Sequence, residues 1–396
     1  MAIPSAGASQ GIPRTVWALG FVSLFMDVSS ELVYSLLPLY LVGTLGVGML
    51  TVGVIEGVAE ATALIVKVFS GAISDFIGRR KGLLLLGYGL AALSKPLFPL
   101  ATTADLVFAA RLLDRVGKGI RGAPRDALVA DVAPADSRGA CFGLRQSMDT
   151  VGAFLGPILA ILLMLMFASN IPLVLWFAVI PAVLAVVFLL FGVREPDRQT
   201  TTTPFRSPIH LDSLRRFSST YWWVVGIGAL FTLARFSEAF LVLRAQQLGF
   251  AAAWVPLVMV VMAGFYMVSA YPAGKWSDQV SRTALLSVGL LLLILADLVL
   301  ARADSVAGVL LGVALWGLHM GFSQGLLAAL VADTTPEDLK GTAFGLFNLV
   351  SGIALLLASV LAGWLWQTYG AAVTFYAGAG FSALALVLLM LRWRRE

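Results

Sequence analysis

Leu128-Val129-Ala130-Asp131 and Leu330-Val331-Ala332-Asp333 are the same four residues, an offset of 202 (128 to 330). The copy stays in register through Pro134 and Pro336, Asp136 and Asp338, Arg138 and Lys340, and Gly139 and Gly341. It ends with a Phe-Gly-Leu at Leu144 and Leu346. Upstream, Gly71, Ser74, Asp75 and Arg79 recur as Gly274, Ser277, Asp278 and Arg282, an offset of 203 (71 to 274). Ser30-Glu31 recurs as Ser237-Glu238. Three matches in one order, at nearly one offset, read as a tandem repeat of about half the chain. Parallel repeats of this kind place a shared site where the halves meet.

What surrounds the repeat is apolar. Of 396 residues 59% are hydrophobic and 12% charged, with a mean hydropathy of +0.92. A soluble domain is about half apolar and a quarter charged. A soluble core cannot absorb this excess, and a bilayer can. A crossing takes roughly 20 apolar residues, because the hydrocarbon layer is about 30 Å thick and a helix rises about 1.5 Å per residue. Apolar runs fall at about 17–42, 49–73, 82–100, 105–131, 140–167 and 171–194, then at about 221–245, 252–274, 283–302, 306–332, 342–366 and 371–392. The first run is too long for a cleaved signal peptide and carries acids in its middle. The expected fold class is an all-α membrane protein with twelve transmembrane helices in two six-helix repeat bundles. The bundles are 1–194 and 221–396. Residues 195–220, with Thr200 to Thr203 and three prolines, read as a polar linker.

The net charge of +5 and pI near 9.5 do not point to nucleic acid, because the basic residues sit between apolar runs. With the N-terminus inside, one side collects 16 of the 27 Lys and Arg residues, among them Arg14, Arg79-Arg80-Lys81, Arg138, Arg194, Lys275, Arg282, Lys340 and Arg392. The other side holds Arg302, with Arg244 near it. Cytoplasmic connections are the basic ones, so both termini are expected in the cytoplasm of a multi-pass integral protein, in the inner membrane if the source is bacterial. One cysteine, Cys141, excludes an intramolecular disulfide.

The stretch Gly71-Ala72-Ile73-Ser74-Asp75-Phe76-Ile77-Gly78-Arg79-Arg80-Lys81 resembles the signature loop between helices 2 and 3 of the major facilitator superfamily. The resemblance covers the whole chain through the six-and-six division and the weaker second loop. It implies a transporter whose inner gate is latched by this loop. The gate set is then Gly71, Ser74, Asp75, Gly78, Arg79, Arg80 and Asp131, with Asp278, Arg282 and Asp333 in the second copy. Arg79 is expected to pair with Asp131. A plain positive-inside anchor is the alternative, but it needs neither Asp75 nor the glycines. In the fourth run Arg115 and Gly119 match an arginine-plus-glycine pattern that the family associates with proton coupling. Lys118 and Arg121 depart from that pattern. Gly152-x-x-x-Gly156-Pro157 resembles the helix 5 motif of the proton-coupled drug and metabolite antiporters, departing from it at Ile158-Leu159-Ala160. Small residues four apart also serve ordinary helix packing.

Charges inside a bilayer are costly, so they face protein or water. The first half carries acids Asp27, Glu31, Glu56, Glu60, Asp114, Asp126 and Asp149. Its bases are Lys67, Lys95, Arg111, Arg115, Lys118, Arg121, Arg125 and Arg145. At offset 202, Arg111, Asp114, Arg115, Lys118 and Arg121 correspond to Val313, Trp316, Gly317, Met320 and Ser323. Helix packing alone therefore does not call for these charges. The expected substrate and proton pathway is Asp27, Glu31, Glu56, Glu60, Arg115, Lys118 and Asp149. Static pairs such as Asp114 with Lys118 are the competing reading. Arg235 and Glu238 are spaced to pair on one helix face, Asp297 stands alone, His319 reads as a core residue, and Trp222-Trp223 as an interfacial belt.

The expected function is a secondary active transporter, moving a small molecule by alternating access, with proton-coupled export. Proton-coupled uptake or exchange of an organic anion is the alternative. A membrane-embedded enzyme is remote, since the chain offers no HExxH, GxSxG, P-loop or Cys-His metal cluster. No cofactor or metal is expected. The expected partners are a small-molecule substrate, protons and lipid, with no nucleic acid, and the chain is expected to be a monomer.

Overall fold

A computed structural model describes residues 11–134, 137–196, 211–276, 279–336 and 339–393. Among them the regular structure is helical throughout. Eleven segments are long and apolar enough to cross a bilayer. They are α1 (Arg14–Thr44), α2 (Met49–Ile77), α3 (Lys81–Leu100), α5 (Arg138–Met166), α6 (Ile171–Gly192), α7 (Ser219–Gln247), α8 (Ala252–Trp276), α9 (Arg282–Arg302), α10 (Val306–Asp333), α11 (Lys340–Tyr369) and α12 (Ala371–Leu391). Between α3 and α5 lies α4, Ala104–Val132. Its 29 residues would span about 43 Å at about 1.5 Å per residue. Length does not separate it from the others; charge does.

Local chemistry places the boundaries. Thr103 caps α4, its hydroxyl accepting from Leu106 N at 3.4 Å, with Asp105 in the first turn. Gly78 ends α2 in the left-handed region at φ 70, and its N–H donates to the Ser74 carbonyl at 3.1 Å. A glycine suits that position because a Cβ there would be strained. In α7, the helix Ser219–Ala234 stops, Arg235 turns out at φ −108 and ψ 77, and a second helix starts at Ala239. The Ser237 N–H freed by this break donates to Ser359 Oγ at 3.2 Å, and its hydroxyl meets Tyr34 Oη at 3.3 Å. The matching Ser30-Glu31 in α1 lies inside continuous helix. There the irregularity comes later, at Pro38 and the π turn Tyr40–Thr44.

Within the first six segments α1 packs on α5 and α6, and α4 packs on α2 and α3. Within the second six, α10 packs on α8 and α9, α9 on α12, and α7 on α11 and α12. The halves meet where α2 lies along α11, α5 along α8, and α1 along the second helix of α7. A Cβ on Gly57 would come 3.0 Å from the Leu356 carbonyl, and one on Gly363 would come 2.9 Å from Leu50 Cα. Leu50 N donates to Gln367 Oε1 at 3.1 Å. All three contacts lie on the half of α2 remote from the 71–81 loop. At the loop end Asp75, Phe76 and Ile77 are exposed.

Large apolar side chains cover the outside, Phe191 being 82% and Met166 73% exposed. Such a surface suits lipid and not water, and the chain is an integral multi-pass membrane protein. Trp222 is on that surface, while Trp223 packs against the interior. Of the expected linker, Leu211–Arg216 forms one short helical turn. Residues 197–210 lie outside the described residues, as do 1–10 and 394–396.

Candidate functional site

The site is built around α4. Its hydrophilic face could not enter a bilayer unaided, and neighbouring helices supply its partners. Arg111 donates to Glu56 at 2.8 Å and to Glu60 at 3.3 Å. Its guanidinium lies 4.5 Å from the centre of the Tyr34 ring. Arg115 lies 3.3 Å from Glu60 and 3.6 Å from Asp114. Lys95 of α3 completes the set, 2.8 Å from Asp114 and 2.9 Å from Ser30 Oγ. Nearer the loop end, Arg125 reaches Asp126 (3.4 Å) and Asp149 (3.6 Å), and Arg145 reaches Asp149 (2.6 Å). Buried pairs of this kind chiefly offset each other's desolvation.

Helix α5 sets the position of the acids on α1. A Cβ on Gly156 would sit 2.8 Å from Glu31 Cβ, and one on Gly152 would sit 3.0 Å from Asp27 Cβ and 2.6 Å from the Leu24 carbonyl. The two glycines therefore let α5 touch α1 at the two turns that carry its carboxylates.

A cavity of about 410 Å³ lies between the halves. Glu31, Tyr34, Glu60, Leu64, Arg115 and Lys118 line it from one side. Thr232, Arg235, Phe236, Ser237, Glu238, Ser351 and Leu355 line it from the other. The break in α7 is what brings four consecutive residues, Arg235 to Glu238, to the wall. Glu31, Lys118, Arg235 and Glu238 make no side-chain ion pair or hydrogen bond among the described residues, and Arg235 Nε is buried without an acceptor.

Of the expected pathway residues, Glu31, Glu60, Arg115 and Lys118 line this cavity. Glu56 is fully buried on Arg111, Asp149 is held by Arg145 and Arg125, and Asp27 stands beside Gly152. The expected Asp114–Lys118 pair is replaced by Asp114–Lys95, because α3 packs on that face of α4. Arg235 and Glu238 do not pair across a helical turn, because the backbone between them is not helical. Sequence reasoning missed both as cavity residues. The Ser-Glu copy of α1 was the available signal.

In the expected gate set it is Arg80, not Arg79, that bonds Asp131 (2.6 Å), with Ser74 Oγ at 3.2 Å and Asp75 at 3.3 Å. Gly78 turns the chain so that Arg80 points inward, and Arg79 is exposed. Glu195 also joins this end, accepting from the backbone N–H groups of Arg80 and Lys81. Gly71 lies against α4, where a Cβ would be 3.3 Å from Ala123. In the second copy Arg282 pairs with Asp333, and Asp278 lies outside the described residues. In the second half Asp297 and His319 are fully buried, and among the described residues neither oxygen of Asp297 has a hydrogen-bond partner.

The Major Facilitator Superfamily model matches residues 19–358 and 239–396. An uncharacterised transporter of this type from Methanocaldococcus jannaschii is 31% identical over 387 residues, covering 96% of this chain and 95% of its own. The multidrug resistance protein MdtH of Photorhabdus laumondii is 23% identical over 350 residues, covering 88% and 86%. Among solved structures, a nucleoside transporter superposes with a TM-score of 0.81 at 13% identity, covering 95% of this chain and 99% of its own.

Proposed function

The chain belongs to the major facilitator superfamily and is not an enzyme, and on that premise we propose a proton-coupled exporter that works by alternating access. The observation that carries this reading is the cavity between the halves with Glu31 at its wall, unpaired and held in place by Gly156. A carboxylate in a cavity that opens to one side and then the other can take a proton from one compartment and release it to the opposite one. The tight approaches of α2 to α11 at Gly57 and Gly363 lie on the half of α2 remote from the 71–81 loop, which suits one of the two states that such a cycle needs. The similarity to a multidrug resistance protein supports export as the direction.

On the same reading α4 is the twelfth crossing, both termini are cytoplasmic, and 195–220 joins the six-helix bundles 1–194 and 221–396. The transporter works as a monomer. Reporter fusions at residues 196 and 396 test the topology: both must report the cytoplasm.

Proteoliposomes with an imposed pH gradient test the coupling, using cationic drugs and organic anions as solutes. Accumulation driven by an acidic interior supports antiport. Accumulation driven by an acidic exterior supports the second reading, uptake of an organic anion, which Arg115 and the unpaired Lys118 favour. Flux indifferent to the gradient removes proton coupling.

A further inference from the structure

We propose that the central cavity binds a zwitterion, a small molecule carrying one carboxylate-like and one ammonium-like group on a short apolar body. Amino acids and short peptides have this chemistry. The inference rests on the transport reading of the same cavity and names the substrate class.

The charges of the wall carry the argument. Glu60 is engaged by Arg111 and Arg115. That leaves, among the described residues of the wall, two cations and two anions without a direct ion-pair partner, one of each sign from each half. Glu31 and Lys118 belong to the first half, and Arg235 and Glu238 to the break in α7. The four charges offset one another across the cavity. A ligand with only a cation would add an unbalanced positive charge to a wall that holds two of each sign, and one with only an anion an unbalanced negative charge. An uncompensated charge away from bulk water is expensive, and removing one partner of a buried pair costs several kcal/mol for the same reason. A zwitterion keeps the closed site neutral and can meet one acid and one base at once.

The fit of the rest agrees. The volume of about 410 Å³ lies within the roughly 300–1,000 Å³ of small-ligand pockets. Tyr34, Leu64, Phe236 and Leu355 provide apolar wall for a side chain. Acid and base from opposite halves can grip opposite ends of one ligand, so that binding ties the halves together.

The test uses matched probes on the full chain in detergent and in proteoliposomes. Phenylalanine and alanyl-phenylalanine are the zwitterions, their C-terminal amides the cations, and their N-acetyl forms the anions. Binding is read by thermal shift and flux by counterflow. The expected result is a zwitterion at least about tenfold tighter than both of its single-charge derivatives, about 1.4 kcal/mol. Arg235→Gln and Lys118→Gln should erase the discrimination against the amide. Glu31→Gln and Glu238→Gln should erase that against the N-acetyl form. An amide or N-acetyl form that binds the wild type as well as its parent overturns the proposal, and so does a folded protein that binds none of the six. These wild-type comparisons do not depend on any variant folding. Zwitterion binding without flux would sink the transport reading and leave this one standing. Preferred flux of a monovalent drug would do the reverse.

Discussion

Glu31 and Glu56 are two glutamates that read alike in the sequence, and the structure separates them. Each lies one helical turn from a second acid, Asp27 and Glu60. Glu56 is 0% exposed and bonded to Arg111, whereas Glu31 opens on the cavity. Glu31→Gln is therefore expected to abolish pH-driven accumulation while sparing energy-independent exchange, as measured in proteoliposomes. Unchanged accumulation would make Glu31 structural. Arg111→Ala leaves Glu56 buried without its partner, and a broken buried pair costs about 3–5 kcal/mol. The expected outcome is a large loss of thermal stability, with partial recovery in Arg111→Ala combined with Glu56→Gln. Among the described residues Asp297 has no hydrogen-bond partner to lose. Asp297→Leu, apolar and close in shape, is expected to raise the unfolding temperature by a few degrees, since an unsatisfied buried carboxyl costs about 1–3 kcal/mol. That these positions carry charges was legible. Which of them pair was not, because a one-dimensional spacing says nothing about the helix across the gap.

At the scale of elements, α4, α5 and α7 decide the site. In the sequence 105–131 reads as one of the apolar runs, but the charges of α4 keep that helix out of the eleven segments apolar enough to cross a bilayer. The Gly152–Gly156 motif was legible as a close contact, but its partner was not. The structure shows the partner to be α1 at Asp27 and Glu31. Gly156→Val puts bulk against Glu31 and the Val28 carbonyl, so it should cut transport at least about tenfold while the protein still inserts; small-to-large changes in a packed contact cost about 1–3 kcal/mol. Transport rates normalised to protein in the membrane decide this, and a fully active variant would detach the motif from the site. The break in α7 had no sequence mark. No proline or glycine lies in Arg235–Glu238, and the matching Ser-Glu of α1 stays helical. Tertiary bonds from Ser359 and Tyr34 hold it open.

At the scale of the molecule, the halves are joined at the end remote from the 71–81 loop. Cysteines at Leu50 and Gln367, in a Cys141→Ser background, are expected to cross-link with a short bifunctional reagent and stop transport. Continued transport after complete cross-linking would show that this contact does not open in the cycle. Asp75 belongs to the other end, exposed and bonded only at its edge to Arg80. Asp75→Asn should slow transport with normal insertion, and full activity would remove the latch role of the loop.

The sequence by itself determined the solvent, the repeat and the family, because hydropathy, offset and motif are properties of a line of residues. It also placed charge in the first half, since the comparison of 111–121 with 313–323 needs no coordinates. Only the tertiary structure decided which charges are silent. Pairing depends on how each helix is rotated and which neighbour it faces. That rotation comes from packing of small residues and from a helix break held by distant side chains. It gave Asp131 to Arg80 and Asp114 to Lys95, and it left Glu31, Lys118, Arg235 and Glu238 facing one cavity.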